Sequence, residues 1–232
     1  MYKIFEYSHL GGSEILQLRF PQINAEIDAA IESIHDVKRV KESKEKTMKG
    51  VMLYSPVDLN SRFKEAFDQR GFKELIDRFD IDIPGHPFKI RNNYKQVDFA
   101  KDQILCEVQF GKYFSMFYDL AKFQYFFNEM KAEVGVEIVP THRLHKNMST
   151  GTSYGEQLVW DIGRLRRHFP AVPVKVILID VEPPPKGVVT ADEGMEESLA
   201  EQVDETVEPR RSAPTERKVV QYDFPKRRKP KP

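Results

Sequence analysis

Asp98 stands at the head of one apolar stretch, and the run Cys106-Glu107-Val108-Gln109-Phe110 forms the next. Side chains on a strand alternate faces, so Glu107 and Gln109 point one way while Cys106, Val108 and Phe110 point the other. The short linker Ala100-Lys101-Asp102 folds Asp98 back beside them as a hairpin. Two carboxylates and an amide oxygen are then expected to converge. An all-oxygen set suits Mg²⁺ rather than zinc. A hard cation held this way polarises a phosphodiester and lowers the pKa of a bound water. Asp98, Glu107 and Gln109 are therefore the candidate catalytic residues, with Asp98 and Glu107 as metal ligands. Gln109 is neither base nor cation, so its expected task is to hold the attacking or metal-bound water by hydrogen bonds. For a lone pattern of this kind the plainer reading, ordinary carboxylates at strand ends, is the commoner one, since such patterns are frequent.

Elements that position these residues follow from periodicity. Ile23, Ile27, Ile31 and Ile34 predict a helix over about 23–35. Lys38 to Lys49 reads as a solvated helix face or a loop. Asn60 is the expected cap of a second helix, with Phe63 and Phe67 inward. The prolines and glycine of 81–87 predict irregular chain. Strands are expected at 97–99 and 104–110, a long aromatic helix at 113–130, a buried strand at 134–139, a loop at 140–152, a helix from Ser153 or Thr152 to about His168, and a last strand at 174–181. This order predicts an α/β protein with a mixed central sheet flanked by helices.

With 232 residues, one domain or one domain plus a tail is expected. Thirty-six Lys+Arg balance thirty-six Asp+Glu. Neutrality counts mildly against a nucleic-acid binder, but only the patch facing phosphate matters. The single cysteine, Cys106, excludes an intrachain disulfide and reads as a small buried hydrophobe. No stretch approaches roughly 18 apolar residues, and the start lacks a signal peptide's apolar run, so a cytoplasmic protein with no membrane contact is expected. Beyond Val181 the chain turns proline-rich, then acidic, then basic. Residues 1–181 are expected to form the domain and 182–232 a disordered tail, whose basic end either touches DNA or serves solubility.

The segment "QVDFAKDQILCEVQFGKY" at Gln96–Tyr113 resembles the metal-binding part of the BglII/BstYI-type restriction endonucleases, within the PD-(D/E)xK nuclease superfamily. That family carries glutamine where most superfamily members have lysine. "YSHLGG" at Tyr7–Gly12, "KESKEKTMKG" at Lys41–Gly50, "LYSPVDLN" at Leu53–Asn60, "VGVEIVP" at Val134–Pro140 and "MSTGTSYGE" at Met148–Glu156 extend the resemblance, which is nearest in pattern to BstYI. It ends near Val181 and is weak over 71–91, so the family's further acidic or amide site residue is not placed. Asp80 and Asp82 lie in its region.

The resemblance implies a restriction-endonuclease-like fold and a homodimeric, Mg²⁺-dependent type II enzyme. It implies cutting of double-stranded DNA at a palindromic GATC-containing site, with 5′ overhangs and a methyltransferase protecting the host. It places Lys112 at a base-reading turn, where its donors suit purine N7; a phosphate contact is the alternative. It places Ser149, Thr150, Thr152 and Ser153 in a second DNA-binding loop, where helix capping is the alternative. The aromatic residues of 113–127 read as core and dimer interface rather than stacking platforms. His142, His145 and His168 lack zinc spacing. Arg164, Arg166 and Arg167 suit either a helix C-terminus or phosphate. A noncatalytic DNA-binding protein on the same fold is the runner-up, and a scaffold with no DNA role the third reading.

Overall fold

The computed structural model describes residues 1–184. The predicted tail, 182–232, lies outside them apart from its first three residues. Eight strands and six helices run β1 (Tyr2–His9), α1 (Gly12–Arg19), α2 (Pro21–Glu32), β2 (Lys41–Glu42), β3 (Met52–Leu53), α3 (Pro56–Asp68), β4 (Lys73–Ile81), β5 (Ile90–Lys101), β6 (Ile104–Val108), α4 (Tyr113–Asn128), β7 (Val134–Pro140), α5 (His142–His145), α6 (Gly155–Leu165) and β8 (Val174–Asp180). Six strands form one mixed sheet in the order β1-β8-β7-β6-β5-β4, and β2 and β3 make a separate ribbon. β6, β7 and β8 run parallel, and the outer pairs are antiparallel.

The three parallel strands are buried along their whole length, as strands covered on both faces must be. On one face Cys106, Val108, Val136, Ile138, Ile177 and Ile179 pack with Leu16 of α1, Ile23, Ile27 and Ile31 of α2, and Phe63 and Phe67 of α3. On the other, Leu105, Val139, Val174, Val176 and Leu178 pack with Met116, Leu120, Phe123 and Phe126 of α4 and Leu158 and Ile162 of α6. The result is a sheet between two helical layers, as the order of elements predicts.

Four elements differ from expectation. β1 and β4 are strands the periodicity did not single out. α3 starts at Pro56, and its cap is Ser55, whose hydroxyl accepts from the Asp58 backbone N–H, so Asn60 lies inside the helix. A proline at the first helical position after a serine is the stronger start signal. α6 has Tyr154 at its N-cap and no side-chain cap. Neither Thr152 nor Ser153 caps it: the Thr152 hydroxyl donates to the Ser149 carbonyl at 2.9 Å instead. Among the described residues no helix is long and apolar enough to cross a membrane.

Candidate active site

Asp102 and Gln103, both with positive φ, close a two-residue turn between β5 and β6, the geometry whose twist suits paired strands. The register pairs Phe99 with Cys106, Ala100 with Leu105 and Lys101 with Ile104. The paired register stops there, and Asp98 and Glu107 lie just beyond it, near enough for the Asp98 charge to act on the Glu107 carboxyl. β5 also carries an extra residue here: Lys73 and Leu75 of β4 face Ala100 and Val97, so three steps on one strand meet two on the other. Such a bulge re-aims the side chain beside it. Val97 and Ala100 both pack on the α4 side of the sheet, while Phe99 packs on the α3 side. Asp98 sits in this irregularity, exposed, at the rim of a depression of about 270 Å³ that Asn60, Lys64, Glu74 and Val108 also line.

Glu107 is 2 % exposed. Lys122, on α4, donates to Glu107 Oε1 and lies 2.8 Å from Asp119 Oδ1, three residues back on the same helix. Burial pushes the Glu107 carboxyl up to about 8, the Asp119 charge adds to the rise, Lys122 opposes it, and Asp98 contributes again upward. Burial also works against the Lys122 ammonium, but the Glu107 and Asp119 carboxylates hold it charged above the ordinary lysine value. Glu137 lies directly across the parallel strands from Glu107. It is fully buried, and neither of its carboxyl oxygens has a hydrogen-bond partner. Its pKa is driven well above the carboxylate range by burial, then by Asp119 and Glu107.

Gln109 faces the same way as Glu107 but is turned to other partners. Its Nε2 donates to Asp119 Oδ2 at 2.8 Å, and its Oε1 accepts from the Gly111 N–H at 2.8 Å. A Cβ at position 111 would come within 2.4 Å of that oxygen, so glycine is what lets the amide fold back. The structure thus brings Asp98 and Glu107 together. Gln109 joins them through Asp119, and its amide oxygen does not converge with the two carboxylates. Among the described residues no three acidic, histidine or cysteine side chains are gathered closely enough to cage a metal. The donor chemistry nonetheless fits a hard divalent cation. The side chains are oxygen donors, one buried carboxyl group lacks any partner, and among the described residues Lys122 is the cation ion-paired with Glu107 and Asp119.

Asp119, Lys122 and Glu137 were not anticipated. An acid and a lysine three apart on a helix read as a solvated pair, and one glutamate in an apolar strand carries no spacing signal. Asp80 and Asp82 are excluded as neighbours of Asp98. They flank Lys89 near the far turn of the β4–β5 hairpin, 3.8 and 3.6 Å from its ammonium. Glu74, opposite the bulge, is the acid of β4 that shares the depression with Asp98.

Lys112 is exposed at the N-cap of α4, directly after the site strand, with its ammonium 5.9 Å from the Phe114 ring centre. Ser149 accepts from Lys41 Nζ at 2.7 Å, and the Thr150 N–H donates to Glu45 at 3.1 Å. The loop carrying the predicted hydroxyls is therefore clipped to the segment around the β2–β3 ribbon, where Lys44, Lys46 and Lys49 are exposed. Thr152 and Ser153 are buried, and Thr152 also meets His145 Nδ1 at 3.0 Å. His142 and His145 stack with one another and against Tyr154. Arg164, Arg166 and Arg167 are exposed, with Arg164 over the Trp160 ring.

The sequence pattern of the family described as "Restriction endonuclease BglII/BglIII" matches residues 4–179. No curated protein matches the chain. Two solved structures share the fold. BglII in complex with a DNA 16-mer has a TM-score of 0.60 at 23 % identity, over 78 % of this chain and 79 % of that one. Free BglII has a TM-score of 0.56 at 21 % identity, over 78 % and 81 %. A mixed sheet between helical layers, a hairpin that brings an aspartate near a glutamate and a family match across three quarters of the sequence agree, and the chain belongs to the BglII/BglIII restriction endonuclease family, whose members are type II site-specific deoxyribonucleases.

Proposed function

We propose that the protein is a homodimeric, Mg²⁺-dependent restriction endonuclease that cuts double-stranded DNA at a palindromic site containing GATC, in the form RGATCY, and leaves 5′ overhangs. What supports this reading is an acidic group gathered at the end of the β5–β6 hairpin: Asp98 lies close enough to Glu107 for its charge to raise the Glu107 pKa, and Glu137, paired with Glu107 across the parallel strands, has no hydrogen-bond partner. Asp98 and Glu107 would hold the cation. When bound, it supplies Lewis acidity and a water of lowered pKa. Gln109, fixed by Asp119 and Gly111, orients that water with its amide. Lys112 reaches the outer base pair, where a lysine donor is satisfied by N7 of either purine, and this is the basis for R over a single base. Ser149 and Thr150 approach the duplex from the second loop, with Thr152 and Ser153 shaping it from within. The cell would need a cognate methyltransferase to protect its own sites, and the cytoplasm is where the enzyme would meet entering DNA.

One gel tests this reading. Purified protein is incubated with phage DNA, with and without Mg²⁺, and with oligonucleotides AGATCT, GGATCC, AGATCC and TGATCA. Mg²⁺-dependent cutting of the first three and not the fourth is expected. Asp98→Ala and Glu107→Ala should lose cleavage by at least about a hundredfold, a few kcal/mol of barrier, and keep specific binding in a mobility shift. Cleavage at the wild-type rate by either variant would remove it from the site.

A further inference from the structure

We propose that Lys122 tunes the divalent-cation site: its ammonium, reaching in from α4 to hydrogen-bond Glu107, holds that group until a cation arrives and then shares it with the cation. The inference deepens the nuclease reading and rests on it. Lys122 is a positioning residue here, acting through Glu107.

The geometry is specific. The Lys122 side chain is 12 % exposed and bridges Glu107 Oε1 and Asp119 Oδ1. The other oxygen of Asp119 takes the Gln109 amide, so a single carboxylate anchors both side chains that face Glu107. Glu137, across the strands, has no partner at all. Lys122 is therefore the one cation that the described residues pair with this group of acids. A buried carboxylate without a counter-charge is costly, and lysine offers a compact charge on a flexible stem that can stay near while a second cation binds. Two positive ions on one carboxylate repel each other strongly where water is scarce. The lysine thus stabilises the metal-free site and weakens the cation's hold on it. A purely structural clip between α4 and β6 would have no such effect on cation affinity.

The test is calorimetric titration of Mg²⁺ alone into full-length wild type, Lys122→Met and Lys122→Arg, with thermal melting of each. K122M is expected to melt lower without metal yet bind Mg²⁺ about tenfold more tightly, because one repelling charge is gone. K122R, whose charge is permanent, should bind no more tightly than wild type. Unchanged or weaker Mg²⁺ binding by a folded K122M overturns the inference and leaves Lys122 a clip. If K122M does not fold, K122R carries the test, and tighter binding by K122R overturns it. Wild type that neither binds Mg²⁺ nor cuts DNA overturns the nuclease reading, and this inference with it.

Discussion

Glu107 and Glu137 face each other across two parallel strands, and neither can ionise cheaply. In the unfolded chain a glutamate gives up its proton near 4.5, whereas folded Glu107 holds it up to about 8, first through burial and then through Asp119. Below 4.5 both states are protonated and nothing depends on pH. Between 4.5 and about 8 the folded state binds more protons, so stability falls as pH rises. Above about 8 the loss is complete. Lys122 adds no slope there, since its raised pKa matters only above the ordinary lysine range. The metal-free protein should therefore melt progressively lower from pH 5 to pH 8, by a free energy of a few kcal/mol. Glu137→Gln keeps the shape and removes the titrating proton. It should flatten that slope and raise the metal-free melting temperature at pH 8, as read by thermal denaturation at several pH values. An unchanged slope would mean that Glu137 is not part of the coupled group. At this scale alternation put Glu107 and Gln109 on one face, the hairpin linker put Asp98 beside them, and the family resemblance turned that pattern into a candidate site. The sequence did not show Asp119, Lys122 or Glu137, because their proximity comes from how α4 lies on the sheet and not from any local period.

How α4 lies on the sheet is decided at Gly135. A Cβ there would fall 2.3 Å from Cδ2 of Phe123, so the ring rests directly on the β7 backbone. On the same helix the neighbouring Lys122 reaches Glu107, and Asp119, one turn back, holds the Lys122 ammonium. Gly135→Ala should push the helix outward. The expected cost is about 1–3 kcal/mol, a fall of several degrees in melting temperature for a domain of this size. Cleavage should drop further than the lost stability explains, because the helix carries the ammonium. A melting temperature equal to wild type would show that Phe123 repacks freely. Apolar period located the two inner helices and the three parallel strands well, since their burial is continuous or strictly spaced. β4 was missed because Lys73-Glu74-Leu75-Ile76-Asp77-Arg78 is an exposed edge strand whose charges hide the alternation. The bulge at Asp98 was invisible for a related reason: it is defined by the partner strand, not by β5 itself.

At the scale of the whole molecule, two surfaces must be reconciled with zero net charge. One is the side proposed to face DNA, where attraction would have to come from local lysines: Lys112 beside the site strand, and Lys44, Lys46 and Lys49 beside the clipped loop. Binding that depends on a few such contacts should weaken steeply with salt. The other is apolar. Phe114 and Tyr118 on α4 are 68 % and 52 % exposed, and Trp160 on α6 is 62 % exposed. The two helices are joined by the Tyr113 hydroxyl donating to Asp161. Large aromatic groups left in water on neighbouring helices mark a candidate interaction surface, and the palindromic substrate proposed above would suit a second copy related by a two-fold axis. A double variant, Phe114→Ser with Trp160→Ser, changes only exposed positions and should leave the melting of the isolated fold within about 0.5 kcal/mol of wild type. It should sediment as a monomer where wild type sediments as a dimer, and it should lose double-strand cleavage. A dimer that survives both substitutions would move the interface away from α4 and α6.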